Sequence, residues 1–129
     1  MTYKITIPGR YSSLNQFIAA NRVRVRNWSK ANAMKQEDQE TIIPYIKKAI
    51  KTKIQNPVYI HYTFVEESHK RDLDNVSGYF LKIFQDSLVK SEVLENDGWK
   101  WIKGFDVTFD VDKENPRIEV VITEVKESK

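Results

Sequence analysis

The pattern that most constrains the fold is an amphipathic helix that directly follows an acidic loop. From Asn75 onward, apolar side chains recur at helical spacing, with polar residues on the other side. The apolar set is Val76, Tyr79, Phe80, Ile83, Phe84 and Leu88. Residues 58–66, which precede the loop, alternate between apolar and polar as a half-buried strand does. A helix with one apolar side has to pack against other elements, so a layered structure is expected.

Further strands and a second long helix complete the expected architecture. They are expected in the ranges 3–8, 29–50, 102–111 and 118–122. Ser29 is suited to cap the second helix, and Pro44 is a point where that helix would kink or split. The last two strands predict a hairpin with its loop at 112–115. We therefore expect one α+β domain over residues 1–129, with a small mixed sheet and two main helices.

The composition excludes several classes of protein. The chain has no cysteine, which excludes disulfides, thiolate zinc sites and cysteine nucleophiles. Its 40% of hydrophobic residues suffices for a core and argues against a disordered chain. No stretch approaches the roughly 18 consecutive apolar residues of a membrane span, and the first residues lack the pattern of a signal peptide. We therefore expect a cytoplasmic protein with no membrane contact.

A basic segment covers residues 9–36 and contains no acidic residue. Its positively charged residues are Arg10, Arg22, Arg24, Arg26, Lys30 and Lys35. Tyr11, Phe17 and Trp28 are interleaved with these charges and offer stacking surfaces beside phosphate-binding groups. If residues 22–26 are extended, their three arginines lie on one side. The segment predicts DNA binding, and the alternative is an ordinary solvated loop.

The residues most indicative of chemistry are Asp72 and Asp74, in the loop between the strand and the amphipathic helix. On extended backbone the two carboxylates point the same way, and they repel each other unless a cation lies between them. Oxygen ligands suit Mg²⁺, with Mn²⁺ as the alternative, and such ions activate water for attack on a phosphodiester. Lys70 and Arg71 add phosphate-binding charge. The alternative is that Asp74 merely caps the helix and Asp72 is solvated.

A third carboxylate, Asp97, follows the helix in the tight turn Asn96-Asp97-Gly98. The order of strand, basic Asp-x-Asp-Asn motif, helix with Lys-x-x-x-Asp-x-Leu and Asp-containing turn resembles the RusA family of Holliday junction resolvases. The matching segments are 71–75, 82–88 and 93–97, and a weak likeness extends over nearly the whole chain. The resemblance implies a homodimer that binds four-way DNA junctions and nicks opposed strands with Mg²⁺.

The resemblance also implies roles for individual residues. The three metal-binding aspartates of the family match Asp72, Asp74 and Asp97. The better-known members carry a catalytic lysine four residues after the second aspartate, where this chain has Gly78. Lys82 lies four residues further on, about one helical turn, as an insertion upstream of it would produce. Either Lys82 takes the lysine's role, or it is exposed and paired with Asp86.

We therefore expect a Mg²⁺-dependent crossover junction endodeoxyribonuclease that acts in DNA recombination and repair. Its expected catalytic residues are Asp72, Asp74, Asp97 and Lys82, and its expected DNA-binding residues are Arg10, Asn15, Arg22, Arg24, Arg26, Lys70 and Arg71. Two alternatives stay open: a junction-binding protein without cleavage, motivated by Gly78, and a nuclease with another branch preference. Trp99 and Trp101, two residues apart after the turn, are expected in the core or in a dimer interface.

Overall fold

Strands and helices alternate along the chain. The computed structural model describes residues 1–26 and 28–126, so Asn27 in the basic segment and residues 127–129 lie outside it. The elements are β1 (Thr2–Pro8), α1 (Leu14–Ala20), β2 (Arg24–Val25), β3 (Trp28–Ser29), α2 (Lys30–Ala49), β4 (Val58–Glu66), α3 (Leu73–Lys90), β5 (Ile102–Val111) and β6 (Arg117–Glu124). The predicted α+β organisation is confirmed. The two long helices are α2 and α3, and α1 is a short addition.

The four longer strands form one mixed sheet in the order β1-β6-β4-β5. Strand β4 runs parallel to β5 and antiparallel to β6, and β1 is antiparallel to β6. The small mixed sheet predicted from the sequence is thereby confirmed. Strands β2 and β3 form a separate two-stranded ribbon inside the basic segment.

The predicted hairpin between β5 and β6 is wrong. Strand β4 lies between them and pairs with both. The connection therefore crosses the end of β4, where the Asp112 amide donates a 2.8 Å hydrogen bond to the Glu66 carbonyl. The physical reason is that β4 is buried at every second residue and is best stabilised in the interior of the sheet. An alternating pattern identifies a strand and does not identify its neighbour.

The core lies between the sheet and the helices. One cluster joins buried side chains of β4, β6, α2 and α3, and its bulky members include Tyr62, Phe64, Phe80, Phe84, Ile42 and Ile46. The Tyr62 ring lies edge-on to Phe80 and Phe84, with centroid distances of 6.4 and 5.7 Å. Alternate residues of β4, such as Tyr59 and Thr63, are exposed or half-buried. The helices therefore cover one side of the sheet, which fixes their positions.

Both long helices begin close to where the sequence indicates. Helix α2 has Ser29 as its N-cap, as predicted, and continues through Pro44 without a break. Helix α3 begins at Leu73, so its N-cap residue is Asp72, which makes no capping hydrogen bond with its side chain. The alternative in which Asp74 caps this helix is wrong, because Asp74 lies in the first turn.

The short helix α1 was not expected in the basic segment. A capping box begins it: the Ser13 hydroxyl accepts a 3.1 Å hydrogen bond from the Gln16 amide, and Gln16 Oε1 accepts a 2.7 Å bond from the Ser13 amide. Its Phe17 ring lies 5.1 Å from that of Tyr79 in α3. Seven residues are too few to show a clear apolar period, so packing against α3 stabilises this helix more than its own sequence does.

No helix within residues 1–26 and 28–126 is both long and apolar enough to cross a membrane.

Candidate metal and nucleic-acid site

The Asp-x-Asp motif lies at the start of α3. Asp72 has an extended backbone, with φ −68° and ψ 148°, and Asp74 is in the first helical turn. Both residues are exposed, and Asp74 Oδ1 accepts a 2.9 Å hydrogen bond from the Asn75 amide. Over the described ranges, no cationic side chain pairs with either carboxylate. Such oxygen donors fit Mg²⁺, which is commonly held by one or two carboxylates while it keeps several waters.

Two of the predicted DNA contacts, Arg71 and Arg10, are engaged within the protein. Arg71 donates paired hydrogen bonds to Glu66, from Nε at 2.8 Å and from Nη2 at 3.0 Å. Arg10 donates to Glu66 at 3.2 Å and to Glu67 at 2.8 Å. Burial tends to raise the pKa of Glu66, but the hydrogen bonds and charges of the two arginines outweigh burial and lower that pKa. These arginines therefore anchor the loop before Asp72 to the end of β4.

Helix α1 occupies the place where the resemblance leads one to expect a lysine. A Cβ atom on Gly78 would lie 3.2 Å from Leu14 Cδ2, which is closer than ordinary contact. The Asn15 amide donates a 2.8 Å hydrogen bond to Asn75 Oδ1, and this bond ties α1 to the first turn of α3. Asn15 is therefore near the Asp-x-Asp motif, and it hydrogen-bonds to Asn75 through its backbone amide and not through its side chain. Any side chain larger than hydrogen at position 78 would have to displace Leu14.

Asp97 lies against Asp86 on α3, and their side chains share a hydrogen bond. Burial raises the pKa of Asp86, and the hydrogen bond and charge of Asp97 raise it further, whereas the charges of Lys35 and Lys82 lower it. Two charged carboxylates in such contact would repel each other, and a bound cation would relieve that repulsion. From its place on the polar side of the helix, Asp86 would be expected to be fully solvated. In the structure it is half-buried and lies beside another carboxylate.

The structure does not bring Asp97 to Asp72 and Asp74 within one chain. Asp86, the neighbour of Asp97, comes twelve residues after Asp74 in an unbroken helix. At 1.5 Å per residue the two positions are about 18 Å apart along the axis. No group of three acidic or histidine side chains in the described part of the chain is placed to hold one metal ion. The expected three-aspartate set is therefore divided between the start and the middle of α3.

A cavity of about 410 Å³ opens beside the Asp86–Asp97 pair. Its lining comes from α2, α3 and the turn after α3, and includes Asn32, Lys35, Gln39, Asp86, Lys90 and Asp97. The Lys35 ammonium lies 6.0 Å from the centre of the Phe17 ring in α1, at the outer limit of a cation–π contact. Lys82 is exposed on α3 and acts on Asp86 by its charge. Lysines and carboxylates from two helices therefore meet at one cavity.

Sequence reasoning missed part of this cluster. Asp86 had a local signal, since it follows Lys82 by four residues and so lies on the same side of the helix. Lys35 had none, because it is more than forty residues away in sequence and only the packing of α2 against α3 makes it a neighbour.

The remaining arginines of the basic segment lie on a small ribbon, the arginine hairpin, which comprises residues 22–26 and 28–29. Val25 pairs with Trp28 across the ribbon, and Arg26 has a left-handed backbone with φ 56°. The turn at Arg26 means that the three arginines do not share one extended strand. Arg22, Arg24 and Arg26 are all exposed, and none of their guanidinium groups has a hydrogen bond or ion pair with another described residue. Trp28 is half-exposed beside them.

Comparison with models of known protein families gives no match, and comparison with curated proteins gives none either.

Proposed function

We propose that this protein is a Mg²⁺-dependent endonuclease that resolves branched DNA, with the four-way junction as its substrate, as the likeness to the RusA family implies. The observation that carries the proposal is the cavity lined by Asp86, Asp97 and Lys35, with Lys82 close enough to act on Asp86 by its charge. Acidic groups for a metal and cationic groups for a phosphate are the two requirements of metal-assisted phosphodiester hydrolysis. Helix α3, which carries Asp86 and Lys82, also has the two exposed carboxylates of the Asp-x-Asp motif at its start.

In this proposal the aspartates bind the metal and the lysines bind the phosphate. Asp72 and Asp74 would hold Mg²⁺ at the start of α3, and Asp97 would do so beside Asp86. When bound, the ion polarises the phosphoryl oxygen and lowers the pKa of water for in-line attack. Lys82 and Lys35 would contact the non-bridging phosphate oxygens and stabilise the negative charge that develops there. Asp97 matches a metal-binding aspartate of the family, and Lys82 is the candidate for the role of the family lysine.

The arginine hairpin is the proposed site of DNA backbone binding. The side chains of its three arginines are exposed, and in the parts of the chain described their guanidinium groups have no protein partner. Arginines bind phosphate by paired hydrogen bonds, and the adjacent Trp28 offers a stacking surface. The hairpin ends at Ser29, which caps α2, so it adjoins the helix that carries Lys35. Exposed Lys70 is a further proposed phosphate contact, at the Asp-x-Asp end.

The partner and the location follow from the resemblance. We propose that two copies form a homodimer, because two sites related by a twofold axis suit two opposed strands of a symmetric junction. We also propose that the enzyme acts in the cytoplasm, where chromosomal DNA of a bacterium or an invading element is found.

Cleavage of a labelled four-way junction tests the proposal directly. Wild-type protein with Mg²⁺ should yield paired nicks, and chelation of the metal should abolish them. Asp74→Asn and Asp97→Asn should each lose most of the activity, while Asp106→Asn, an exposed carboxylate on β5, should retain it. The proposal is wrong if the wild type does not cut any branched DNA, or if the first two variants cut as fast as the wild type.

A second function, junction binding without cleavage, is favoured by one observation. Position 78 is a glycine, and a Cβ atom there would lie 3.2 Å from Leu14 Cδ2 of α1, so a lysine at the family position would meet a tight contact. Under this alternative the wild type binds junctions tightly but nicks none of them with Mg²⁺ or Mn²⁺. A nuclease with another branch preference would instead cut flapped DNA as fast as junctions, which the same assay would reveal.

A further inference from the structure

The two tryptophans that follow Asp97 differ in their surroundings. Trp99 is 96% exposed, whereas Trp101 packs against the core as expected. They lie in a turn before β5, so the extended backbone that would place them on one side is absent. Hydrogen bonds fix this turn: the Gly98 amide donates to Asn96 Oδ1 at 2.7 Å, and the Gly98 carbonyl accepts from the Trp101 amide at 3.0 Å. An ordered turn therefore presents the Trp99 indole to solvent.

A second cavity, of about 480 Å³, lies beside Trp99. Its lining includes Gln85, Asp97, Trp99, Ile102 and Phe105. Phe105 is 47% exposed, so two aromatic side chains border the same space. Asp97 lines this cavity and also the lysine-bearing cavity beside Asp86. A single carboxylate therefore separates a charged space from an aromatic one.

We propose that an unpaired nucleobase stacks on Trp99 in the second cavity while the backbone of the same DNA lies at Asp97. This inference rests on the proposed function, and it adds the feature of the DNA that the protein recognises. A nucleotide has a charged phosphate and a flat aromatic base. The lysine-bearing cavity beside Asp86 suits the phosphate, and the cavity beside Trp99 suits the base. Bases inside an intact duplex are covered by their neighbours, so only a base released at a branch, bulge or loop reaches an indole in this way.

Charge near Trp99 favours DNA over an apolar partner. Lys100 follows Trp99 directly and is exposed, and Lys103 lines the cavity. Phosphates on either side of the unpaired base would be attracted to these ammonium groups, whereas an apolar peptide or lipid would have to desolvate them. Stacking on an aromatic side chain also tolerates any base, which suits a protein that recognises the shape of DNA and not its sequence.

Binding assays with 2-aminopurine test the proposal. One duplex carries a single unpaired 2-aminopurine in a bulge, and the other carries the same base paired. Both are titrated with Ca²⁺ in place of Mg²⁺, so that a divalent cation is present while cleavage does not interfere. The wild type should bind the bulged duplex more tightly and quench its fluorescence. Trp99→Ala should weaken binding of the bulged duplex about tenfold and leave the paired duplex unchanged. Trp99→Phe should retain part of the preference and of the quenching.

Two controls distinguish base stacking on Trp99 from a general loss of DNA affinity and from misfolding. Arg24→Ala, in the arginine hairpin, should weaken binding of both duplexes by a similar factor, because phosphates are present in each. Thermal unfolding of Trp99→Ala should match that of the wild type, because the side chain is almost fully exposed. The inference is overturned if Trp99→Ala keeps the wild-type preference for the bulged duplex, or if the wild type has no such preference. It is also overturned if Trp99→Ala changes only the oligomeric state.

Failure of the inference is distinguishable from failure of the proposed function. A wild type that cuts junctions, with a Trp99→Ala variant that binds both duplexes as the wild type does, removes the role of Trp99 alone. A wild type that prefers the bulged duplex through Trp99 but cuts no branched DNA removes the nuclease proposal alone.

Discussion

Glu66 determines what two neighbouring arginines are available to do. Its carboxylate accepts hydrogen bonds from both Arg71 and Arg10, and its side chain is only 11% exposed. Arg71 also donates a 3.0 Å hydrogen bond to the Tyr11 carbonyl. In the sequence, a basic residue beside an acidic motif suggests a phosphate contact. In the folded protein, however, Glu66 already compensates the charge of Arg71. Arg71 thereby positions the loop that carries Asp72.

The first prediction concerns the pH dependence of this contact. The pKa of Glu66 is lowered in the folded state, so the ion pairs stabilise the protein above the ordinary pKa of 4.5 and lose that contribution as the pH falls through the lowered pKa. Glu66→Gln should cost about 1–3 kcal/mol of unfolding free energy at neutral pH. The cost should shrink in acid, which chemical denaturation over a pH series measures. Glu67 is the more exposed partner of Arg10, so Glu67→Gln should change the unfolding free energy little.

The second prediction concerns the contact between Gly78 and Leu14. Gly78→Lys gains roughly 1 kcal/mol of helix propensity. The contact of its Cβ with Leu14 Cδ2 at 3.2 Å should oppose that gain, so the melting temperature should rise less than propensity alone predicts. Leu14→Ala should remove this contact, so the double variant should be more stable than the sum of the two single effects predicts. Melting temperatures of the wild type, the two single variants and the double variant measure the coupling between positions 14 and 78. Strictly additive effects would show that Leu14 does not limit position 78.

At the scale of elements, side-chain hydrogen bonds link the two long helices, and one of them involves a half-buried carboxylate. The Tyr79 hydroxyl of α3 donates to Asp38 Oδ2 of α2 at 2.6 Å. Burial raises the pKa of Asp38, whereas the bond from Tyr79 lowers it. The bond therefore compensates part of the cost of bringing the Asp38 carboxylate between the helices.

The third prediction follows from that bond. Tyr79→Phe should destabilise the protein by about 1–3 kcal/mol, because Asp38 would keep its burial and lose its donor. Urea denaturation at neutral pH measures this change. Tyr45→Phe is the matched control on α2, since Tyr45 is 37% exposed. Equal stabilities for the two variants would contradict the importance of the bond.

The fourth prediction concerns the arginine hairpin. If its arginines contact phosphates, affinity for DNA should fall with salt at a log–log slope of about −0.9 per phosphate neutralised. Arg24→Ala should therefore weaken binding and reduce the slope by about one unit. Fluorescence anisotropy over a salt series measures both quantities. Lys48→Ala, in the last turn of α2, is the matched loss of positive charge and should leave the slope unchanged.

Elements with strong local patterns were predictable from the sequence, and their neighbours were not. The period of α3 and the alternation of β4 located both elements closely. The pairing of β4 with both β5 and β6 depends on which strand is most buried, and no local pattern reveals that. The same limit applies to the site: Asp72 and Asp74 came from one motif, whereas the neighbours of Asp97 depend on the length of α3 and the packing of α2.

For the whole molecule, the fifth prediction is a homodimer in which each protomer cuts one strand. Sedimentation equilibrium should give twice the chain mass of 15.2 kDa. Mixed dimers of wild-type and Asp74→Asn chains should nick one strand of a junction and leave the opposed strand intact, because each protomer would act on its own strand. Paired nicks from such mixed dimers would show that one site cuts both strands, and a monomer would remove the dimer from the proposal.

The pairing of β1 with β6 has a consequence for how the chain folds. Thr2 lies opposite Thr123, and β6 is the strand that joins β1 to β4. Of the four strands of this sheet, β1 is made first and its partner β6 is made last, so β1 has no partner until β6 has been made. Contacts that span such a sequence separation slow folding, so β1 remains an unpaired edge during synthesis. Chaperones that shield exposed strands would act on this protein chiefly in that interval.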